Sequence, residues 1–396
     1  MKKSLSRGVQ LALAVIVLMF AGIIYAWSNL SSPLAELFSD ASALTFTYTL
    51  TIWFFCIGGL VSGLMAAKVS VRGRMILSAV LLLAGFLVTS CLRKGGSIVL
   101  LYLAYGVLAG GGIGIVYNTV IASVTSLFPD KKGFCSGMLM MGFGLGSFLI
   151  GLAAANILKA DLLGWRTLYR LLGALSALAL FLGALLLSPA KAKQSAPAAT
   201  EDADDLAPRE MLRRGSFWKL FVFFVLFSAV GSSALALSRS FCASVNIPAA
   251  AAAVIAATVS VANSAGRLAS GALFDKLGLT KTKFATSGIA IGAPLLALLG
   301  ILLHSTVLAV AGLLLCGFSY GFSPTVSAAF TMEFYGKKHY GANLSIINLV
   351  LIPGAFVPTL STMLLTRSGG SYWIVFALLC VFSLIGLAIN CTIRAR

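Results

Sequence analysis

The sequence predicts an all-α integral membrane protein with twelve transmembrane helices in two six-helix halves. Composition, the number of long apolar runs and the distribution of positive charge support this prediction. Of the 396 residues, 59% are hydrophobic and only 10% are charged, whereas about 25% of residues are charged in soluble proteins. The mean hydropathy is +1.01. A water-soluble core cannot hold so much apolar side chain, so lipid must surround most of the chain.

Twelve apolar runs are long enough to cross a bilayer, which requires about 20 helical residues. They lie at about 9–29, 44–67, 73–92, 97–128, 134–158, 166–188, 217–240, 248–274, 283–303, 306–332, 341–365 and 371–393. The third and fourth runs and the ninth and tenth are the least clearly separated, which leaves eleven or thirteen spans as alternatives. No cleavage site of the Ala-x-Ala kind follows the first run, so we expect it to be retained as a span.

The positive charges support this count. The chain has 29 Lys and Arg residues against 11 Asp and Glu, a formal net charge of +18. With twelve spans, 21 of these cations fall on the side of both termini, seven fall on the opposite side, and Arg267 lies within a span. Because cytoplasmic loops are enriched in Lys and Arg, we expect both termini in the cytoplasm and the protein in the inner or plasma membrane. The charge therefore predicts an orientation, not a nucleic-acid partner.

The longest polar segment separates the sixth span from the seventh. It is rich in Ala, Pro and charged residues, a composition typical of a solvated linker. We therefore divide the chain into an N-terminal half (1–188), a cytoplasmic linker (189–216) and a C-terminal half (217–396). The acidic cluster within the linker is compatible with a partner site and with ordinary solvated chain. Its residues are Glu201, Asp202, Asp204 and Asp205.

Two loops at corresponding places in the halves are similar. Each has a Gly followed five residues later by a Lys. The loops resemble the G-x-x-x-D-R/K-x-G motif of the major facilitator superfamily, which holds helix ends together during transport. The N-terminal copy departs from it at Ala67 and Ser70, so we expect the C-terminal copy to matter more. The residues concerned are Gly271, Asp275, Lys276 and Gly278 in the C-terminal loop, and Gly63 and Lys68 in the N-terminal loop.

Short segments along the chain follow the order of one branch of that superfamily. They are Tyr25–Ser28, Leu127–Gly133, Gly142–Gly146, Gly164–Arg166, Ala207–Leu212, Phe217–Leu220 and Asn263–Arg267. Together they resemble the oxalate/formate antiporter family and its relatives, the monocarboxylate porters. The resemblance implies a secondary transporter whose eighth helix carries an arginine that binds the substrate carboxylate, at the position of Arg267.

Arg267 is also the most informative residue by its chemistry. It lies eight residues before Asp275, or about 12 Å along a helix. A charge at such depth costs at least about 2.5–3.5 kcal/mol, so we expect it to face a polar cavity. None of the eleven acidic residues falls deep in a predicted span, which favours an anionic substrate as its partner. A guanidinium suits a carboxylate in particular. A structural ion pair and a side chain that snorkels to the surface are the alternatives.

Two further positions bear on the substrate. Asn263 lies one turn deeper on the same face as Arg267. Monocarboxylate porters often carry Asp there, and Asn cannot titrate, which argues against proton coupling by that route. In the eleventh helix, the pattern of the oxalate-exchanging relative resembles N-Y-G-x-x-x-x-A-K-G, and Leu351 or a neighbour stands in this chain where that pattern has its Lys. One buried cation instead of two predicts a monoanion or a monoprotonated diacid as substrate.

Other candidate binding residues are aromatic or amide side chains. Tyr117 lies about 16 Å from Phe128, and Tyr320 about 20 Å from Glu333, by helical rise, so we expect both near mid-membrane. Helices 1, 4, 7 and 10 line the cavity in the superfamily, and this resemblance favours Tyr25, Tyr117 and Tyr320 as cavity residues. Packing and lipid-facing roles are equally compatible with each of these tyrosines. The complete candidate list is Arg267, Asn263, Tyr117, Tyr320, Tyr25, Asn118 and Asn348.

Other functional classes have little support in the sequence. The two histidines, His304 and His339, have no nucleophile or metal set around them, the seven cysteines form no CxxC pair, and a Walker motif is absent. We therefore expect no enzyme and no cofactor. The expected partners are a small carboxylate anion and the bilayer, with no nucleic acid, and we expect a monomer.

Two rival functions stay open at this point. One is a drug exporter of the same superfamily, although the Gly-Pro motif of those exporters is missing from Met138–Gly151. The other is a non-transporting membrane sensor with the linker as its output. Glycine repeats in the fourth and fifth spans follow no strand, so they predict close helix crossings and not a nucleotide site.

Overall fold

The computed structural model describes residues 6–66, 68–128, 132–160, 162–187, 205–336 and 339–393. Within them, twelve helices are long and apolar enough to cross a membrane. They are α1 (Arg7–Leu30), α2 (Ala41–Met65), α3 (Val71–Ser90), α4 (Ile98–Thr125), α5 (Gly137–Lys159), α6 (Trp165–Leu186), α7 (Gly215–Ser244), α8 (Ala249–Phe274), α9 (Lys276–Leu302), α10 (Thr306–Tyr335), α11 (Asn348–Arg367) and α12 (Tyr372–Thr392). The predicted all-α class and the count of twelve are confirmed.

Polar side chains fix several helix starts. Asp40 Oδ1 accepts hydrogen bonds from the backbone N–H groups of Ser42 and Ala43, at 2.8 and 3.0 Å. Ser70 Oγ accepts from Gly73 N at 3.1 Å and begins α3. Such caps satisfy backbone donors that have no partner within the helix. They explain why these loops end where they do.

The start of α9 corrects one expectation. The sequence predicts that span 9 begins near residue 283 and counts Lys283 among the cations at the cytoplasmic surface. In the structure, Lys283 lies inside α9, five residues after the non-helical residue Gly278, and is 6% exposed. The chain turns sharply at Gly278, whose φ of 69° suits glycine. Arg267 is thus not the only buried cation of the spans.

The chain divides into two compact units. Unit 1 contains Met1–Ala192 and Pro248–Val261, and unit 2 contains Lys193–Ile247 and Ala262–Arg396. Helix α8 therefore contributes its first half to unit 1 and its second half to unit 2. The domain boundaries expected from the sequence stay a prediction.

Glycines set the helix crossings of unit 1. Where α2 meets α4, a Cβ on Gly58 would overlap Gly111 O, and one on Gly114 would overlap Phe55 O. Where α1 meets α5, a Cβ on Gly22 would overlap Phe143 O in the same way. Small residues allow such backbone contact between membrane helices. The glycine repeats of α4 and α5 serve these crossings.

In unit 2, the corresponding helices of the C-terminal half cross in the same pairs. Helices α8 and α10 cross at Gly266 and Gly321, and a Cβ on either would overlap the backbone of the partner helix. Helices α7 and α11 meet at Gly354, whose carbonyl accepts a hydrogen bond from Ser232 Oγ at 2.9 Å. The pairs α2–α4 and α1–α5 of unit 1 thus correspond to α8–α10 and α7–α11 of unit 2.

A third helix pair, α3–α6 in unit 1 and α9–α12 in unit 2, also corresponds between the units. In unit 1, Arg72 of α3 donates from Nε to Ala184 O near the end of α6, at 3.1 Å. In unit 2, Lys283 of α9 donates from Nζ to Asn390 O, at 3.1 Å, and to Ile393 O at the end of α12. Each cation lies at the negative end of a helix dipole. The weak repeat seen in the two loops is therefore matched by a repeat in packing.

Candidate functional site

Arg267 lies within α8, in the part that belongs to unit 2. It is 6% exposed and precedes Phe274, the last residue of α8, by seven residues, or about 10 Å. Two contacts with α10 hold its backbone. Thr325 Oγ1 donates to Arg267 O at 3.4 Å, and Gly321 brings the α10 backbone against Arg267 N. The position of this cation is therefore fixed by the α8–α10 crossing.

Asn263 adds a second buried polar group one turn away. Its side chain is fully buried, and neither Oδ1 nor Nδ2 has a hydrogen-bond partner among the described residues. An unsatisfied buried amide costs about 1–3 kcal/mol, and such groups are uncommon in native structures. Asn263 therefore offers one donor and one acceptor site to a bound molecule beside Arg267.

Tyr320 is brought to the same crossing by α10. It is 3% exposed and packs its ring against Gly231 of α7, where a Cβ would overlap the tyrosine side chain. Its neighbour Gly321 contacts Asn263 O. The structure thus brings together three of the predicted residues, Arg267, Asn263 and Tyr320, on helices α8 and α10.

Tyr25 and Tyr117 meet in an aromatic cluster of unit 1. The ring of Phe143 on α5 lies 5.5 Å from that of Tyr25 and 4.9 Å from that of Tyr117. Phe55 on α2 completes the cluster, 5.2 Å from Tyr117. Edge-to-face contacts of this kind stabilise ring positions. The sequence gives no signal for Phe55 or Phe143, because both are ordinary phenylalanines within apolar runs.

The two amide candidates differ in their surroundings. Asn118 donates from Nδ2 to Gly59 O of α2, at 2.5 Å, so this donor links α2 to α4. Asn348 is half-buried at the first residue of α11.

A second buried arginine was missed by sequence reasoning. The sequence predicts Arg74 to be one of the cations at the cytoplasmic surface, but the structure places it in the first turn of α3, where it is only 7% exposed. Its Nη1 donates to Ser62 O and to Ser62 Oγ, at 3.0 and 3.3 Å, and Ser62 Oγ lies 2.8 Å from Thr119 Oγ1. These contacts join the ends of α2, α3 and α4, so Arg74 has a structural role.

The two loop motifs have different backbones. Gly278 of the C-terminal copy has a φ of 69°, whereas Ser70, at the matching position, has an ordinary φ of −60° and caps α3. The backbone of the N-terminal copy therefore requires no glycine at position 70. The side chain of Asp275, residue Ala67 and the linker residues 188–204 lie outside what the structure describes. Of the other predicted motif residues, Gly63, Lys68 and Lys276 are exposed. Gly271 is half-buried, and a Cβ on it would lie 3.7 Å from Thr325 Cγ2.

Comparison with known proteins identifies the superfamily. The sequence profile described as the Major Facilitator Superfamily matches residues 11–352. The oxalate:formate antiporter of Oxalobacter formigenes is 26% identical over 342 residues, which cover 85% of this chain and 80% of the antiporter. Monocarboxylate transporter 12 of Rattus norvegicus is 32% identical over 175 residues, which cover 43% of this chain and 35% of that transporter.

A solved structure supports the fold. It is a bacterial homolog of the human lysosomal transporter Spinster in an inward-facing and unoccupied conformation. Its TM-score is 0.70 at 16% identity, over 98% of this chain and 94% of that chain. The expected resemblance to the superfamily, to the oxalate/formate antiporter family and to monocarboxylate porters is confirmed. With twelve apolar helices and a profile match over most of its length, this chain belongs to the Major Facilitator Superfamily, whose members are multi-pass membrane transporters and not enzymes.

Proposed function

We propose that this protein is a secondary active transporter of small organic anions, in particular monocarboxylates, that works by alternating access. The observation that carries the proposal is the buried pair of Arg267 and Asn263. A guanidinium at this depth and an amide without a hydrogen-bond partner in the described chain together match a carboxylate, which accepts two parallel hydrogen bonds. The names of the oxalate:formate and monocarboxylate relatives support the same substrate class.

Exchange is the favoured form of coupling. An empty site would carry the positive charge of Arg267 through a medium of low dielectric, which is costly. A bound anion neutralises that charge and lowers the cost of reorientation. Asn263 cannot take up a proton, so the pair itself supplies no titrating group for symport.

A monoanion is favoured over a dianion because of the surroundings of Leu351. This half-buried side chain packs against an apolar cluster of unit 2 that includes Phe224, Phe330 and Val350. A dianion bound to Arg267 would keep one charge without a partner in low dielectric. The substrate therefore has one carboxylate, or has its second one protonated.

Uptake by purified protein in liposomes tests this function. Labelled formate, acetate, lactate and oxalate are offered with the lumen empty or preloaded with the same anion, with and without an inward proton gradient. We expect uptake of the monocarboxylates only into preloaded vesicles. Uptake into empty vesicles that needs the gradient would establish proton symport instead, and no uptake of any anion would contradict the proposed function.

Replacing Leu351 by lysine tests the charge argument. The long lysine stem lets its ammonium extend beyond the apolar cluster, and we expect the ratio of oxalate to formate uptake to rise about tenfold, since hydrogen bonds to charged groups contribute about 1.5–3 kcal/mol. Leu349→Lys, a half-buried neighbour on another face, is the matched control. An unchanged ratio in Leu351→Lys would mean that this position does not face the substrate.

A further inference from the structure

An apolar groove runs along unit 1 between α1 and α6. Its volume is about 270 Å³, and Leu13, Ile16 and Phe20 line it on α1, with Leu178, Ala179 and Leu186 on α6. Ile16, Leu178 and Leu186 are 49%, 53% and 44% exposed. Both helices are candidate membrane spans, so the groove opens to the lipid.

The floor of the groove depends on Gly183. A Cβ at this position would lie 2.5 Å from Val17 Cγ2 and 2.9 Å from Met75 Cε. Val17 and Met75 therefore occupy the space that a side chain at position 183 would need, and they pack directly against the backbone of α6. The groove is therefore bounded by α1 and α6, with Met75 of α3 packed behind Gly183.

The groove has the length of a single leaflet. Its lining on α6 extends from Leu175 to Leu186, about 16 Å by helical rise, and half of the bilayer hydrocarbon is about 15 Å thick. Leu186 is the last residue of α6. Because α1 and α6 are the first and sixth of six spans, the start of α1 and the end of α6 lie at the same membrane surface. The groove therefore extends from that surface to about the bilayer centre.

A cation of α3 bonds the α6 backbone two residues before Leu186, the lining residue at the surface end of the groove. Arg72 is exposed, and its Nε donates to Ala184 O, at 3.1 Å, next to Gly183. Its Nη1 and Nη2 make no hydrogen bond to the part of the chain that the structure describes. Terminal guanidinium nitrogens are strong donors to phosphate oxygens. Arg7, at the start of α1, adds positive potential on the same side.

We infer that this groove binds one anionic phospholipid. One acyl chain lies between α1 and α6, and the headgroup phosphate contacts Arg72. The apolar lining, its length of one leaflet and the cation at its surface end match the two parts of that ligand. A second copy of this chain would match the apolar part but not the position of Arg72.

Native mass spectrometry of the full-length, delipidated protein tests this inference. Phosphatidylglycerol and phosphatidylcholine with identical acyl chains are added in parallel. We expect one phosphatidylglycerol to be retained per protein, with retention of phosphatidylcholine weaker by about fivefold, the effect of one Lys or Arg on an anionic lipid near the surface. Arg72→Gln should remove this preference, and Ala179→Trp should reduce retention of both lipids.

Two variants serve as matched controls. Arg166, at the opposite end of α6, donates from Nη2 to Leu92 O, at 3.0 Å, so Arg166→Gln loses the same kind of contact at the other membrane surface. Ala174 is exposed on α6 outside the groove, so Ala174→Trp adds the same bulk elsewhere. Both should retain phosphatidylglycerol as the wild type does. Equal retention of the two lipids by the wild type, unchanged retention in Ala179→Trp, or a protein dimer that Ala179→Trp abolishes would each overturn the inference.

Discussion

We expect Arg267→Gln to abolish substrate binding and to leave the protein folded. Glutamine keeps a polar group of similar length but has neither the charge nor the fork of the guanidinium. Removing one partner of a buried, hydrogen-bonded charge pair costs about 2–5 kcal/mol, so we expect the affinity for formate or acetate to fall by at least about 30-fold. Titration calorimetry on the purified protein measures this change, and liposome uptake should be lost in parallel.

Arg74→Gln is the matched control, since Arg74 is the other buried arginine among the residues that the structure describes. Its guanidinium bonds Ser62 and not the group around Arg267, so its loss should lower the melting temperature without changing substrate affinity. Arg267→Lys keeps the charge but loses the bidentate geometry, and its affinity should lie between those of the wild type and Arg267→Gln. Wild-type affinity in Arg267→Gln would exclude Arg267 from the binding site.

The fold follows from the sequence because its main signal is long and repeated. Twelve apolar runs of about 20 residues have few alternatives in a bilayer. The sequence predicts the burial of cations near helix ends least well. Lys283 and Arg74 look like surface cations at helix ends in the sequence, but each is buried and bonds backbone carbonyls near the end of a neighbouring helix. Such a cation is identified only when the packing partner is known.

The candidate site was only partly predictable. Arg267 stands out because a charge within an apolar run is costly, and Asn263 follows from helical spacing. The aromatic cluster around Phe143 was not predicted, because its members come from four helices and none is unusual in its own segment. Gly266 and Gly321, which position Arg267, are visible in the sequence. The sequence does not show that they bring α8 and α10 into contact.

From the close crossing of α8 and α10, we expect Gly321→Leu to eliminate transport and to destabilise the protein. A Cβ at Gly321 would overlap Asn263 O and lie 2.7 Å from Arg267 N and 2.9 Å from Gly266 C. These are backbone atoms, so no rotamer change can make room, and α8 and α10 must separate. Overpacking of this kind costs about 1–3 kcal/mol or more. Gly321→Ala should show a smaller effect in the same direction.

Gly292→Leu on α9 is the matched control. It distinguishes overpacking at a helix crossing from the general effect of replacing a helical glycine. A Cβ at Gly292 meets nothing within 4 Å, and leucine has the higher helix propensity, so this variant should melt at or above the wild-type temperature and transport normally. The crossing positions Asn263 and Arg267 by their backbones, so Gly321→Leu should lose substrate binding even in the fraction that stays folded. A Gly321→Leu protein with wild-type melting temperature and uptake would mean that α8 and α10 are not in backbone contact during transport.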